Sequence, residues 1–187
     1  MNIGVLGGTF DPPHDAHLRI AERSIDQFSL DKVIFIPSGN PWQKKDATSY
    51  RHRYEMTKIL IGDSNDLEIS DIENSEEKPS YTYETLKKLN HPKEELYFIL
   101  GSDAAINIKT WKNYELLSNL TNFLIALRSE DNIDVVDNNF PFDYEIISGD
   151  KLDLSSTTLR NKLKEENIEV SELPFGILTY IKENSLY

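Results

Sequence analysis

Gly7-Gly8-Thr9-Phe10-Asp11-Pro12-Pro13-His14-Asp15-Ala16-His17 is the stretch from which the fold can be read. It follows an apolar run, Ile3 to Leu6, with the make-up of a short buried strand. It precedes Leu18 to Phe28, where Leu18, Ala21, Ile25 and Phe28 recur at helical spacing. The stretch is therefore a strand-to-helix turn at the start of an α/β chain. Gly7 and Gly8 let the backbone approach a ligand closely or adopt positive φ. Pro12 and Pro13 stiffen the loop, because each fixes its φ and lacks an N–H. The helix beyond presents unpaired amides and a partial positive charge, a seat for phosphate. His14 and His17 stand three residues apart, so a helix beginning near them puts both on one face, where they can grip one anion. A plain Gly-Gly turn with two structural histidines is the bland alternative; both histidines at the helix entrance, after Gly-Gly-Thr-Phe-Asp-Pro, favour the anion site. No Gly-Lys-Ser/Thr follows, so this is no P-loop, and the G-x-G-x-x-G spacing of a dinucleotide fingerprint is missing.

The 187 residues predict one domain with an ample core. The apolar share of 39% and charged share of 28% are ordinary for a globular protein. Twenty Lys and Arg against 32 Asp and Glu give a net charge of −12. Such a surface argues against nucleic-acid and anionic-membrane partners, which want basic patches. An anionic substrate needs a local cluster of positive groups that works against the global field. With no cysteine, disulfides, thiolate catalysis and Cys-ligated metals are excluded. No secretory leader pattern or membrane-length apolar run stands out, so the expected location is the cytoplasm.

Apolar, β-rich runs recur at Ile3–Leu6, Lys32–Pro37, Leu67–Ile72, Leu96–Leu100, Phe123–Leu127 and Tyr144–Ile147. Helical patterns fall between and after them, at His17–Phe28, Tyr50–Ile61, Thr82–Leu89, Tyr114–Leu120, Thr157–Glu165 and Pro174–Asn184. The alternation predicts a Rossmann-like, doubly wound, mostly parallel α/β sheet with helices on both faces, in a single domain over 1–187 with a small helical part at roughly 155–187. Ligands of such sheets bind beyond the carboxyl ends of the strands.

The residues after each strand are therefore the candidates. After the second strand, Pro37-Ser38-Gly39-Asn40-Pro41-Trp42-Gln43-Lys44-Lys45 reads as a loop with one large aromatic and two lysines. Arg51, His52 and Arg53 open the next helix against its dipole, which a solvated face accommodates best. Asp63 to Lys78 reads as a solvated connection around one strand. Pro79-Ser80-Tyr81-Thr82 opens a helix, with Ser80 or Thr82 as its cap. Gly101-Ser102-Asp103-Ala104-Ala105 reads as a ligand loop in which Gly101 permits close approach and Asp103 meets a hydroxyl. Trp111 either packs on a helix or stacks on an aromatic ligand. Leu154-Ser155-Ser156-Thr157-Thr158-Leu159-Arg160 caps a helix whose amides, with Arg160, suit phosphate oxygens.

Together these motifs resemble the nicotinate mononucleotide adenylyltransferases, within the nucleotidyltransferases marked by His-x-Gly-His. Here that motif is His14-Asp15-Ala16-His17, and the second signature, Ser-x-Thr-x-x-Arg, stands as Ser155 to Arg160. The resemblance spans essentially the whole chain, with Pro79–Thr82, Gly101–Asp103 and Thr110-Trp111 in family order. It implies adenylyl transfer from ATP to nicotinate mononucleotide, with release of pyrophosphate and no covalent intermediate. Other acceptors (nicotinamide mononucleotide, phosphopantetheine) or a weakly catalytic nucleotide sensor are the alternatives. By the resemblance His14, His17 and Arg160 are catalytic. Gly7, Gly8, Thr9, Phe10, His14, His17, Gly101, Asp103, Ser156, Thr157 and Arg160 bind ATP. Gly8, Thr9, Lys44, Tyr81, Thr82, Asp103 and Trp111 bind the acceptor, with Tyr81 and Thr82 on the carboxylate and Trp111 stacked on the pyridine. Mg²⁺ rides on ATP with no dedicated protein ligands, and homo-oligomers are compatible with the sequence. Three departures stand out. Ala16 replaces the motif glycine, Gln43 stands where many relatives have histidine, and Ser129-Glu130 follows Arg128 where Pro-Gly is usual.

Overall fold

The computed structural model describes residues 1–42, 44, 46–127, 133–150, 154–165 and 173–187. Gln43, Lys45 and Arg128-Ser129-Glu130 lie outside them. Six strands, β1 (Ile3–Gly8), β2 (Lys32–Pro37), β3 (Leu67–Ile69), β4 (Leu96–Gly101), β5 (Asn122–Ala126) and β6 (Glu145–Ile147), form one sheet. Its order is β3-β2-β1-β4-β5-β6, and every neighbouring pair is parallel. The chain winds outward from β1 to β3, then returns to the other side of β1 with β4, so the switch point lies between β1 and β4.

Strict alternation explains how helices cover both faces. Leu6, Ile99 and Leu124 feed one core, with Ala21 of α1 (Asp15–Phe28), Met56 and Leu60 of α2 (Tyr50–Ile61), and Leu159 and Ile177 further on. Their neighbours Val5, Phe98, Leu100 and Ile125 feed the other, with Leu86 of α3 (Thr82–Leu89), Ala105 of α4 (Ser102–Ile106) and Val136 of α5 (Ile133–Asn139). A strand flanked by helices on both sides must be apolar on both, hence the unbroken runs of Val, Ile, Leu and Phe. The last helices are α6 (Ser156–Lys164) and α7 (Phe175–Glu183).

The doubly wound parallel sheet is the predicted one, and several boundaries move. β1 runs on to Gly8 because Gly7 and Gly8 pair with Ile36 and Pro37. β3 stops at Ile69, short of the expected Ile72, where the Ser70 hydroxyl takes the Ile72 amide. Tyr114–Asn119 is a 3₁₀ helix rather than an α-helix. Its entry residue Asn113 is left-handed at φ 55°, and the Leu116 amide bonds back three residues to the Asn113 carbonyl. The expected Gly101–Ala105 loop is mostly helix, since α4 begins at Ser102 directly after β4. α5 was not expected; Ile-Asp-Val-Val carries β-branched residues that blur a helical period. Among the described residues, no helix is long and apolar enough to cross a membrane.

Candidate active site

The loop between β1 and α1 is built around two constrained residues. Phe10 has φ 52°, a left-handed conformation that costs a side-chain-bearing residue about 1–2 kcal/mol. Burial of its ring to 2% exposure offsets this, against Phe35 at 5.7 Å and the edge of His17 at 4.9 Å. A side chain on Gly8 would reach within 3.0 Å of that ring, so glycine is what lets the loop fold over Phe10. His14 then caps α1 with extended backbone, and His17 sits in the first turn. Their ring centroids are 3.9 Å apart. The His14 amide donates to His17 Nδ1 at 3.2 Å, so a neutral His17 carries its proton on Nε2. His14 is 3% exposed and His17 half-buried, and both line one large cavity.

Donors from distant elements hold this loop from behind. Arg53, expected on a solvated face, is 1% exposed. It donates to the carbonyls of Thr48 at 2.6 Å, Thr9 at 2.8 Å and Gly39 at 3.1 Å. A guanidinium buried this way ties the β1–α1 loop to both ends of the β2–α2 connection, which helical periodicity cannot reveal. Arg160 donates to the Asp11 carbonyl at 2.6 Å, and the Ser156 hydroxyl to the Pro12 carbonyl at 2.9 Å. Asp11 is 3% exposed, with its carboxylate taking the Thr48 amide at 3.1 Å and the Tyr187 hydroxyl. Arg160, which also donates to the Thr157 hydroxyl at 3.3 Å, is the one expected site residue outside the cavity lining.

The acceptor side is made from two interlocked loops. The Pro37–Lys44 loop docks on residues 73–80: Asn40 N–H donates to Ser80 Oγ at 3.2 Å, and the Ser80 amide donates to the Asn40 carbonyl at 3.0 Å. Gly39 lies so close that a β-carbon there would be 1.9 Å from the Glu73 carbonyl oxygen. The 63–78 segment is therefore a wall of the site and not only a solvated connection. Ser80 is spent on this docking, and Tyr81 is the N-cap of α3. The amides of Thr82 and Tyr83 precede the first intrahelical bond, from the Glu84 amide to the Tyr81 carbonyl at 3.0 Å. Beside them the Lys112 ammonium lies 4.4 Å from the Tyr81 ring centroid. Trp111 packs edge-on to Phe98 at 6.2 Å and also lines the cavity, so packing and ligand contact are not exclusive. Lys44 is exposed at the rim.

On the other side of the switch point, Gly101 caps α4 and Asp103 folds back over it. A β-carbon on Gly101 would be 2.8 Å from Asp103 Oδ1. Ser155 caps α6 by accepting the Thr158 amide at 3.1 Å, leaving the Ser156 and Thr157 amides ahead of the first turn. Ala16 is 3% exposed and lines the cavity from the first turn of α1. We expect Ala16→Gly to leave the Mg-ATP KM unchanged or lower it, and to cost about 0.5–1 kcal/mol of stability. Titration of both variants with Mg-ATP and thermal melts check this; a strongly raised KM would show that the methyl is a needed contact.

Ser38, Arg23 and Glu73 are among the lining residues that the sequence reading did not assign to the site. Ser38, after β2, has a buried hydroxyl with no hydrogen-bond partner among the described residues. Its only signal was position after a strand. Arg23, about two turns into α1, donates to the Asp150 carbonyl at 2.6 Å and closes the cavity against the loop after β6. Glu73 accepts from the Thr85 hydroxyl beside the start of α3.

The cavity holds about 980 Å³, at the upper end for small-molecule sites. The caps of α1, α3, α4 and α6 (His14, Tyr81, Gly101 and Ser155) all line it. Arg23, Lys44 and Lys112 line it against Glu73, Asp103 and Asp150, so the side chains balance and the helix starts supply the positive ends, in a chain of net charge −12. No group of three or more His, Asp or Glu side chains suited to a metal ion occurs among the described residues.

Comparison with known proteins agrees with this geometry. Residues 5–162 match the cytidylyltransferase-like family. A Geotalea daltonii protein named as a probable nicotinate-nucleotide adenylyltransferase is 36% identical, over 100% of this chain and 98% of its own length. Proteins with the same name from Desulfitobacterium hafniense (38%; 99% and 95%) and Clostridium novyi (41%; 88% of each) are similar too. Among solved structures, the Plasmodium falciparum nicotinic acid mononucleotide adenylyltransferase complexed with NaAD superposes with a TM-score of 0.85 at 26% identity, covering 100% of this chain and 97% of that one. A second structure of that enzyme, complexed with APC, gives 0.82 at 26%, covering 100% and 96%. With its helix starts gathered at the switch point of a parallel sheet and relatives matched along its full length, this chain belongs to the cytidylyltransferase-like family and, within it, to the nicotinate-nucleotide adenylyltransferases.

Proposed function

We propose that the chain, as one nucleotidyltransferase domain over residues 1–187, transfers the adenylyl group of ATP to nicotinate mononucleotide, in the cytoplasm where both are met. The observation that carries this is the convergence of the α1, α3 and α6 starts, with His14 and His17, on one cavity at the switch point. Two anionic groups can be seated there at once, a triphosphate between α1 and α6 and a carboxylate at α3.

An acceptor phosphate monoester is already anionic near neutral pH. One of its oxygens forms the new bond to the α-phosphorus as the bond to the pyrophosphate oxygen breaks. No general base or covalent nucleophile is needed. Catalysis is then alignment, worth roughly 7–11 kcal/mol, plus charge stabilisation. Gly7, Gly8, Thr9 and Phe10 bring the backbone against the junction of the substrates. His17 Nε2–H and His14 meet the phosphates, and the Ser156 and Thr157 amides receive the outer ones. Arg160 braces the same loop through the Asp11 carbonyl. Gly101 and Asp103 face ribose and adenine. Tyr81, Thr82, Trp111 and Lys44 hold the nicotinate mononucleotide. Mg²⁺ would enter as part of the ATP substrate and would supply charge neutralisation on the triphosphate.

Purified chain with Mg-ATP and nicotinate mononucleotide is expected to release pyrophosphate and form the dinucleotide. Absence of pyrophosphate above background with every pyridine mononucleotide would overturn the enzymatic reading.

A further inference from the structure

Tyr187 reaches the phosphate loop from 176 residues away in sequence. After α7 the chain reverses through Ser185 at φ 51°, with the Leu186 amide returning to the Ile181 carbonyl at 3.0 Å. Leu186 and the Tyr187 ring pack on the core cluster that also holds Phe10. The Tyr187 hydroxyl donates to Asp11 Oδ1, while the Thr48 amide holds Oδ2 at 3.1 Å. Both carboxylate oxygens of a residue 3% exposed are thus fixed from outside the loop. Burial, and then the bond to Asp11, push the Tyr187 phenol well above its ordinary range, so it stays protonated and donating throughout any assay.

We propose that Tyr187 is a positioning residue for adenylyl transfer, acting through Asp11 to hold the Thr9–His14 backbone in the geometry that aims His14 and His17 at the phosphates. This rests on the functional reading above. Asp11 lies three residues before the α1 cap, and its carbonyl and the Pro12 carbonyl are already pinned by Arg160 and Ser156. Arg53 pins the Thr9 carbonyl at the loop's start, and the carboxylate is the side-chain anchor of its middle. Without the phenolic donor it is held on one side only, and the loop gains freedom that catalysis by alignment cannot tolerate.

Tyr187→Phe keeps the ring and removes the hydroxyl, with its bonds to Asp11 and to the Thr48 side chain. The expected result is a kcat lower by about tenfold, the scale of one charge-assisted hydrogen bond, with the nicotinate mononucleotide KM within about twofold. Amide exchange at Phe10, Asp11 and His14 should quicken by a similar factor. Leu186→Ala, which removes packing from the same tail, should lower the melting temperature while leaving kcat unchanged. Adding Tyr187→Phe to Asp11→Ala should produce no further loss if the two act as one unit. Wild-type kcat or wild-type exchange in Tyr187→Phe, an equal kcat loss in Leu186→Ala, or additive losses in the double variant would each overturn the proposal. If the wild-type chain itself makes no dinucleotide, the functional reading fails; the exchange rates then still decide whether Tyr187 holds the loop.

Discussion

His17→Ala is expected to lower kcat by about 10²–10³-fold, the loss measured when one preorganised donor to a developing anion is removed. The structure gives His17 a defined donor. Its Nδ1 is occupied by the His14 amide at 3.2 Å, which puts the proton of the neutral ring on Nε2. The same bond makes His17 part of the helix cap, so truncation also strands the His14 amide and removes an edge contact with Phe10 at 4.9 Å. A stability loss of about 1 kcal/mol follows, or roughly 2–4 °C in the melting temperature. His17→Gln separates the two effects, because a glutamine at this helical position can still accept the His14 amide. It should recover most of the melting temperature and little of the turnover. Turnover retained in His17→Ala, together with a large fall in melting temperature, would mean that the ring is purely structural.

Much of the fold was legible because its signal is local. Lys32–Pro37, Tyr50–Ile61 and Thr82–Leu89 fall where periodicity places them, each with a core face strong enough to set its own ends. The loop from Gly7 to Pro13 was legible as a turn, and its histidines as a pair, because three residues of helix is a fixed geometry. What stayed hidden was long-range. Arg53 looks like any helix-surface cation until Thr9, Thr48 and Gly39 present their carbonyls to it. Arg160 was read as facing phosphate because a cap and a cation share its segment; only the tertiary structure shows the Asp11 carbonyl in its path. α4 is five residues long, too short to show a period, and Gly101-Ser102 reads equally well as a turn.

The acceptor should be the acid and not the amide, by at least about tenfold in kcat/KM and up to about 10³-fold if two donors would be stranded. Trp111 cannot distinguish the two, since both rings are planar and cationic. The choice falls to the group on the ring's third carbon, which we propose is met by the start of α3. There the Thr82 and Tyr83 amides lie ahead of the first helical bond, and the Lys112 ammonium sits over Tyr81. A carboxylate accepts from every donor in that set. A carboxamide turns its own NH₂ toward one of them and leaves a buried N–H unpaired, at roughly 1–3 kcal/mol each. Glu73, bonded to the Thr85 hydroxyl beside the same helix, works against an acid. Glu84 pairs with Lys112 at 3.8 Å, so the unpaired amides and the helix dipole carry the preference, which the two carboxylates reduce without reversing.

The direct measurement is kcat/KM for dinucleotide formation with nicotinate and with nicotinamide mononucleotide, at saturating Mg-ATP on one preparation. Product formation with nicotinate mononucleotide, favoured at least tenfold, is the predicted result. Equal use of the two acceptors, or a preference for the amide, would contradict the assignment of the α3 start as the seat of the acid.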